Sequence, residues 1–138
     1  MKTLFLSLVA AAMLFTACNH SNGNTASTTG NASDAPVMKF EKESHDFGKI
    51  KPGDLVSYDF KFTNQGKSPL IITDGYASCG CTKPTWPKTP IQPGQSGVIH
   101  VTFDSKGKMG LQDKLITLTA NTNPAQNMVH LVGEVNPL

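Results

Sequence analysis

Apolar and polar residues alternate over most of the chain after its first quarter, which is the pattern of half-buried β-strands. In the clearest run, polar side chains alternate with four large apolar ones: Val56, Tyr58, Phe60 and Phe62. Successive side chains of a strand point to opposite faces of its sheet, so these four share one face. The run therefore predicts a strand with one face on a hydrophobic core and the other in solvent.

The same alternation recurs further along the chain, between turn sequences that contain Gly or Pro. It places apolar residues on one face in three later segments: Ile99, Val101 and Phe103; Ile116, Leu118 and Ala120; Val129, Leu131 and Val135. Shorter strands are predicted around Phe40 to Phe47 and from Leu70 to Thr73. The pattern predicts an all-β fold, an immunoglobulin-like antiparallel β-sandwich of about seven strands, with a small β-barrel as the alternative.

The N-terminus has the pattern of a targeting signal. Met1-Lys2 precedes an apolar run from Leu4 to Phe15, which is shorter than the ~20 residues of a membrane-spanning helix. The next residues, Phe15-Thr16-Ala17-Cys18, resemble the lipobox of bacterial lipoproteins, although Phe15 stands where that motif usually has Leu. The resemblance implies that residues 1–17 are a signal peptide and that Cys18 is lipidated, which would anchor the protein to a membrane. An ordinary secretory signal is the alternative.

Residues 18–36 form a second segment, the lipidated Cys followed by a polar stretch without a large apolar side chain. Such a composition predicts a flexible, disordered linker, with a root-mean-square reach of roughly 24 Å. Residues 37–138 are then the folded domain.

Composition and charge exclude several functions. The chain of 138 residues is long enough for one domain of ordinary size. Its 12 basic residues are all Lys and balance 10 acidic ones to a net charge of +2, so we expect no nucleic-acid partner. No set of base, nucleophile and oxyanion donors is apparent, and we expect no enzymatic activity.

One motif with chemical potential stands out, Cys79-Gly80-Cys81. The two thiols could form a disulfide, structural or redox-active, which the oxidising compartment implied by the signal favours. They could instead bind a soft metal such as Cu(I), with support from His100 or Met109. In the third interpretation they are simply packed thiols at the end of the sandwich.

The residues after this motif, Lys83 to Pro90, include three prolines and the only Trp of the chain. Such a run favours extended backbone and cannot pair in the centre of a sheet. Trp86 is either an exposed aromatic surface for a peptide or glycan partner or, as we favour, a cap on one end of the core.

Several short motifs occur together in this order: His45-Asp46-Phe47-Gly48, Phe60-Lys61-Phe62-Thr63-Asn64, Ser78-Cys79-Gly80-Cys81-Thr82 and Val101-Thr102-Phe103-Asp104. In this the chain resembles the bacterial family known as domain of unknown function 1573. The resemblance covers nearly all of residues 37–138. It implies an immunoglobulin-like domain similar to those of the major sperm protein and Hydin type, in a family whose members are often secreted or lipid-anchored and which has no established activity.

These observations together predict a non-catalytic lipoprotein of the bacterial cell envelope, with its domain facing the periplasm or the cell surface. We expect the membrane, through Cys18, and another envelope protein or a polysaccharide as partners. The alternative is a periplasmic thiol-redox or copper-binding protein that uses Cys79 and Cys81.

Overall fold

The computed structural model describes residues 34–137, which form a sandwich of two β-sheets. The strands are β1 (Met38–Phe40), β2 (Ser44–Ile50), β3 (Leu55–Asn64), β4 (Ile72–Ala77), β5 (Thr82–Thr85), β6 (Ser96–Asp104), β7 (Gly110–Ala120) and β8 (Gln126–Val135). Sheet A has the order β1-β3-β6-β5 and sheet B the order β2-β8-β7-β4. The predicted all-β sandwich is confirmed. The predicted signal peptide, Cys18 and nearly all of the predicted linker lie outside the described residues.

The core lies between the sheets and is built from the alternating positions that the sequence indicates. Its fully buried side chains come mainly from β3, β6, β7 and β8: Phe60, Phe62, Ile99, Val101, Phe103, Ile116, Leu118, Val129, Leu131 and Val135. Burial of these apolar side chains removes their surface from water and is the main stabilising contribution to the fold. Among the described residues, no helix is long and apolar enough to span a membrane.

The sandwich has eight strands, so the prediction of about seven was too low. The predicted first strand, Phe40 to Phe47, is in fact divided between two sheets. The Glu41 N–H donates to the Lys61 carbonyl at 3.0 Å in sheet A, whereas the Glu43 carbonyl accepts from the His130 N–H at 2.8 Å in sheet B. The chain therefore crosses from one sheet to the other over residues 41–43.

This crossing also makes one strand pair parallel, contrary to the predicted antiparallel sandwich. β2 pairs with β8 in parallel, from Ser44 opposite His130 to Ile50 opposite Val135. All other pairings of named strands are antiparallel. β2 and β8 are far apart in the sequence, so no hairpin turn imposes opposite directions on them.

Two smaller differences concern short strands. Leu70 forms only an isolated bridge with Ile91, and β4 begins at Ile72. β5 extends into the proline-containing run and lies at one edge of sheet A. An edge is where a strand with proline can pair, because its missing N–H need not face a neighbour.

The motif from His45 to Gly48 has a structural role at the edge of sheet B. The Asp46 carboxylate accepts a hydrogen bond of 2.8 Å from the Gly48 N–H, and Gly48 has a φ of 75°, which favours glycine. The Phe47 ring packs directly over Gly133, where a Cβ atom would collide with it. The motif thus forms a bulge that inserts one aromatic ring into the sandwich.

Asn64, the last residue of β3, bonds through its side chain to several loop residues. It is fully buried, and its amide nitrogen donates to the carbonyls of Ser68 at 2.8 Å and Ile91 at 2.9 Å. Its amide oxygen accepts from the N–H groups of Val37 at 3.3 Å and Gly66 at 3.0 Å. All four hydrogen-bonding positions of the side chain are therefore used, as burial requires. The described chain enters the fold at this end of the sandwich.

Candidate functional site

The loop with the two cysteines connects β4 of sheet B to β5 of sheet A, and backbone hydrogen bonds hold it at both ends. The Ser78 N–H donates to the Leu115 carbonyl at 2.9 Å. The Cys81 carbonyl accepts from the Asp104 N–H, also at 2.9 Å. The loop thus has a defined position between the two sheets.

Within this loop, Cys79 and Cys81 are joined by a disulfide, with their Cα atoms 5.2 Å apart. The Thr82 hydroxyl oxygen lies 3.6 Å from the sulfur of Cys79 and 3.8 Å from that of Cys81. Both cysteines are half-buried, whereas Gly80 between them is exposed. The structure thus corresponds to the disulfide alternative, between two half-buried cysteines.

Two grooves flank the disulfide. The first, which we call the basic groove, has a volume of about 440 Å³ and is lined by residues that include Cys81, Lys83, Lys106 and Lys108, with Asp104 as its acidic residue. The second, the apolar groove, has a volume of about 490 Å³ and includes Tyr76, Cys79 and Pro84. Gly80 and Lys83 line both grooves. Each sulfur-bearing residue thus borders a groove of different chemistry.

The loop lacks the set of metal ligands that the copper hypothesis requires. A disulfide offers no thiolate, which is the ligand that Cu(I) prefers. His100, one proposed supporting ligand, lies opposite Thr85 at the far end of β5, and its Nδ1 is 2.6 Å from a carboxylate oxygen of Asp59. Met109, the other, lines neither groove. Across residues 34–137, no three side chains of His, Cys, Asp or Glu form a group that could hold a metal ion.

Trp86 packs against the core and is partly covered by its neighbours. Its ring lies over Gly75, so that a Cβ atom there would be 2.7 Å from the ring. The Lys88 ammonium is 3.4 Å from the centroid of the ring. The indole N–H is buried and has no hydrogen-bond partner among the described residues. These contacts favour the core-capping interpretation, and a role for Trp86 as a partner surface stays a prediction.

A feature outside the cysteine loop also has binding potential, the open edge of β3. β1 pairs with β3 only from Phe62 to Asn64, and its last contact is the hydrogen bond to the Lys61 carbonyl. Backbone groups of alternate residues point to the same side of a strand, so those of Ser57 and Asp59 point the same way as that carbonyl. Among residues 34–137, no strand pairs with them on that side.

A groove of about 540 Å³ lies along this edge, and we call it the edge groove. Residues from three elements line it, among them Glu41, Lys42, Ser57, Asp59 and Lys61. The charges in it are mixed in sign. It therefore combines unpaired backbone groups with both cationic and anionic side chains.

Three edge strands of the two sheets, β2, β4 and β5, carry features that hinder strand addition. β2 has the bulge between Asp46 and Lys49, and the pairing of β4 is irregular between Ile72 and Asp74. β5 contains Pro84. Bulges and prolines are common protections of exposed edges. The open part of β3 has neither, and its register with β6 is regular from end to end.

A family model described as Protein of unknown function (DUF1573) matches residues 38–135, which covers all eight strands. The chain belongs to this family. Two of the motifs that suggested the resemblance thus have distinct positions in this DUF1573 sandwich: His45 to Gly48 forms the bulge of β2, and Ser78 to Thr82 forms the disulfide loop.

Solved structures show the same fold. A protein of unknown function from Porphyromonas gingivalis W83 matches with a TM-score of 0.66 and 18% identity, over 76% of this chain and 49% of that protein. This chain therefore spans about half the length of that protein. The ASH/PapD-like domain 7 of human CEP192 matches with a TM-score of 0.57 and 11% identity, over 99% of both chains.

A third match is a domain-sized part of an enzyme, the secreted serine protease VesC from Vibrio cholerae. It matches with a TM-score of 0.56 and 11% identity, over 71% of this chain and 23% of that protein. At these identities the likeness shows the immunoglobulin-like fold alone. No curated protein matches the sequence. Neither the family description nor the PapD-like likeness assigns a catalytic activity to this DUF1573 domain.

Sequence reasoning found the cysteines of this DUF1573 domain but missed Ser57 and Asp59. Both are ordinary polar positions on the solvent face of a predicted strand. Their importance depends on where β1 ends, which the alternation pattern does not encode. The structure gives β1 three residues and β3 ten, a difference that the predicted strand from Phe40 to Phe47 did not contain.

Proposed function

We propose that the protein is a non-catalytic, lipid-anchored protein of the bacterial cell envelope whose sandwich binds an extended segment of another envelope protein. The observation that carries this proposal is the unpaired edge of β3 at Ser57 and Asp59. The segment adds to sheet A in line with β1 and bonds to the backbone groups that β1 leaves free.

Unpaired backbone groups favour a peptide over other ligands. A strand supplies N–H and C=O groups at the repeat that a sheet edge requires, and this is the physical basis of binding by strand addition. A polysaccharide has hydroxyl groups without that regular alternation of donors and acceptors. The mixed charges of the edge groove, Lys42 and Lys61 beside Glu41 and Asp59, suit a segment with both signs of charge. We therefore favour a protein partner.

The predicted lipid at Cys18 gives this binding its location. An anchored protein and its partner share one membrane surface, so the tether raises their effective concentration. Intact-mass spectrometry of the full chain purified from membranes tests the anchor. We expect an acylated N-terminal Cys18 and loss of residues 1–17. An unacylated, water-soluble product would remove the anchor from the proposal without affecting the binding edge.

The binding edge is tested with two variants of Ser57. Ser57→Pro removes the N–H that points to the open side, and Ser57→Ala keeps it. In the unchanged protein, the hydroxyl oxygens of Ser57 and Thr102 are 3.3 Å apart. Both variants lose this contact, so they form a matched pair. Proline is tolerated at an edge when the missing N–H faces away from the neighbouring strand. Circular dichroism of both variants should match that of the unchanged protein.

The probe for these variants is a peptide selected from a random library displayed on phage, with the full chain in detergent as the target. We expect Ser57→Pro to weaken binding of this peptide by tenfold or more, about 1.4 kcal/mol, and Ser57→Ala to leave it nearly unchanged. Equal affinity of all three proteins would refute the β3 edge as the binding site. Selection of no peptide, together with binding of envelope polysaccharide, would favour a glycan partner instead.

A further inference from the structure

We propose that the Cys79–Cys81 disulfide is an exchangeable bond that accepts two electrons from a dithiol on an acidic protein surface, and that this surface approaches through the basic groove. This inference is independent of the β3 edge, because it concerns a different surface. Its support is the exposure of Gly80 between the two cysteines, the grooves that border them, the local hydrogen bonds and the charge around Cys81.

The peptide unit that bridges the two cysteines is uncovered. Gly80 is exposed, and a Cβ atom built on it would have no atom within 4 Å from any residue other than its neighbours Cys79 and Cys81. Its φ does not lie in the left-handed region that favours glycine. The conformation of the loop thus does not require Gly at position 80. The absence of a side chain leaves the mouths of both grooves open beside the sulfur atoms.

The position of the loop does not depend on the bond alone. The Ser78 N–H and the Cys81 carbonyl are tied to β7 and β6 by backbone hydrogen bonds. The Thr82 N–H also donates to the Cys79 carbonyl at 3.2 Å. These three contacts involve no sulfur atom, so breaking the disulfide does not itself remove them, and we expect them in the dithiol form. Reduction is therefore possible without unfolding.

The charge around Cys81 favours an anionic partner. Lys83, Lys106 and Lys108 line the basic groove together with Cys81. Its one acidic residue, Asp104, accepts a hydrogen bond of 2.9 Å from the Lys106 N–H through its carboxylate. Cationic surfaces of this kind steer anionic partners and stabilise thiolates. The partner's reactive dithiol is thus expected on an acidic surface.

The exchange proceeds in two steps. A thiolate of the partner attacks the sulfur of Cys81, the Cys79–Cys81 bond breaks, and Cys79 leaves as a thiolate close to the Thr82 hydroxyl. The partner's second thiolate then attacks the partner sulfur that is bonded to Cys81 in the mixed disulfide, and Cys81 leaves as a thiolate. The partner loses two electrons and two protons and becomes a disulfide, and Cys79 and Cys81 are reduced to thiols.

The loop lies at the end of the sandwich opposite to the point where the described chain begins. Leu55, the first residue of β3, lines the basic groove with Cys81. Asn64, the last residue of β3, bonds to Val37. Ten residues of strand at ~3.3 Å each separate these ends by roughly 30 Å. An approaching dithiol protein therefore meets the loop away from the linker.

The test follows reduction of the oxidised full chain in detergent with two small dithiols, neutral dithiothreitol and the carboxylate dihydrolipoate. Alkylation and mass spectrometry measure free thiols over time, and circular dichroism measures the fold. We expect complete reduction with the fold retained. Gly80→Leu should slow reduction by both dithiols several-fold, because its side chain stands between the grooves.

A triple variant tests the charge: Lys83→Gln, Lys106→Gln and Lys108→Gln. It should slow reduction by dihydrolipoate several-fold more than reduction by dithiothreitol at low salt, and this difference should shrink at high salt. Lys67→Gln is the control, because Lys67 lies near the first described residues and bonds to Asp34 at 3.6 Å. A bond that opens only in denaturant would overturn the proposal. Equal effects of the triple variant on both dithiols would overturn the acidic partner.

Discussion

The imidazole of His45 stacks on the phenol ring of Tyr58, with ring centroids 3.5 Å apart and ring planes 7° apart. His45 belongs to β2 in sheet B, and Tyr58 belongs to the open stretch of β3 in sheet A. The stacked pair thus covers the core beside the stretch of β3 that β1 leaves unpaired. It does so with side chains, and the backbone groups of Ser57 and Asp59 stay free for a partner.

This contact predicts a dependence of stability on pH. Partial burial, assisted by the nearby Lys42, lowers the pKa of His45 from its ordinary value of 6.5. As the pH falls through 6.5, the unfolded chain binds this proton before the folded one, so the free energy of unfolding decreases. The loss is complete once the pH is below the lowered pKa of the folded state.

Urea unfolding at about pH 7.5 and about pH 5.5 measures this effect. We expect the unchanged protein to lose more free energy of unfolding on acidification than His45→Gln, because Gln does not titrate. In His45→Gln, the Phe60 ring would still cover part of the Tyr58 ring, because the two ring centroids are 4.8 Å apart. An equal loss in both proteins would show that other groups dominate the acid sensitivity.

A second prediction concerns Gly133, which lies under the Phe47 ring. Gly133→Ala places a Cβ atom against that ring, and overpacking of this kind costs about 1–3 kcal/mol. Gly80→Ala is the matched control, since a Cβ at that position would have no residue other than its two chain neighbours within 4 Å. Thermal unfolding should separate the two variants clearly. A Gly133→Ala protein as stable as the control would mean that Phe47 can move away without cost.

A third prediction concerns the buried amide of Asn64. Asn64→Asp keeps the size of the side chain but loses the two N–H donors that bind the carbonyls of Ser68 and Ile91. The Ile91 carbonyl would still accept from the Leu70 N–H at 2.9 Å, whereas the Ser68 carbonyl would be left without a donor, which costs about 1–3 kcal/mol. The variant should therefore lose about 1–3 kcal/mol in denaturant unfolding. Ser68→Ala retains the backbone carbonyl and should lose much less. Similar stability of both variants would contradict the role of the amide.

A fourth prediction concerns the contribution of the disulfide to stability. The bond closes a loop of only three residues, so the chain-entropy model gives it a contribution of about 1.5 kcal/mol. Replacing Cys79 and Cys81 by Ser should therefore lower the free energy of unfolding by no more than about that amount and leave the circular dichroism spectrum unchanged. A loss of cooperative unfolding would show that the bond holds the fold together, and would argue against an exchangeable disulfide.

Much of the fold follows from local sequence patterns. The alternation at Tyr58, Phe60 and Phe62 predicts which face of β3 is buried, because side-chain direction depends only on neighbouring residues. The proline-containing run likewise predicts a segment outside the centre of a sheet, which β5 confirms. The cysteine loop was identifiable because only one residue separates the two cysteines, which keeps their side chains close in any fold.

The remaining features depend on contacts between distant parts of the chain. The crossing at residues 41–43 needs the partners of Glu41 and Glu43, which are Lys61 and His130. No local signal marks that change of sheet. The grooves beside Cys79 and Cys81 and the open edge of β3 arise from the same long-range arrangement. The sequence therefore indicated candidate residues but neither the surfaces that surround them nor the edge at Ser57.

Amide hydrogen exchange along β3 tests the binding edge most directly. In the free full chain, the amides of Tyr58 and Phe60 should be protected by β6, and those of Ser57 and Asp59 should exchange fast. When the selected peptide is added, we expect Ser57 and Asp59 to become protected as well. Binding that leaves these two amides in fast exchange would contradict strand addition at β3.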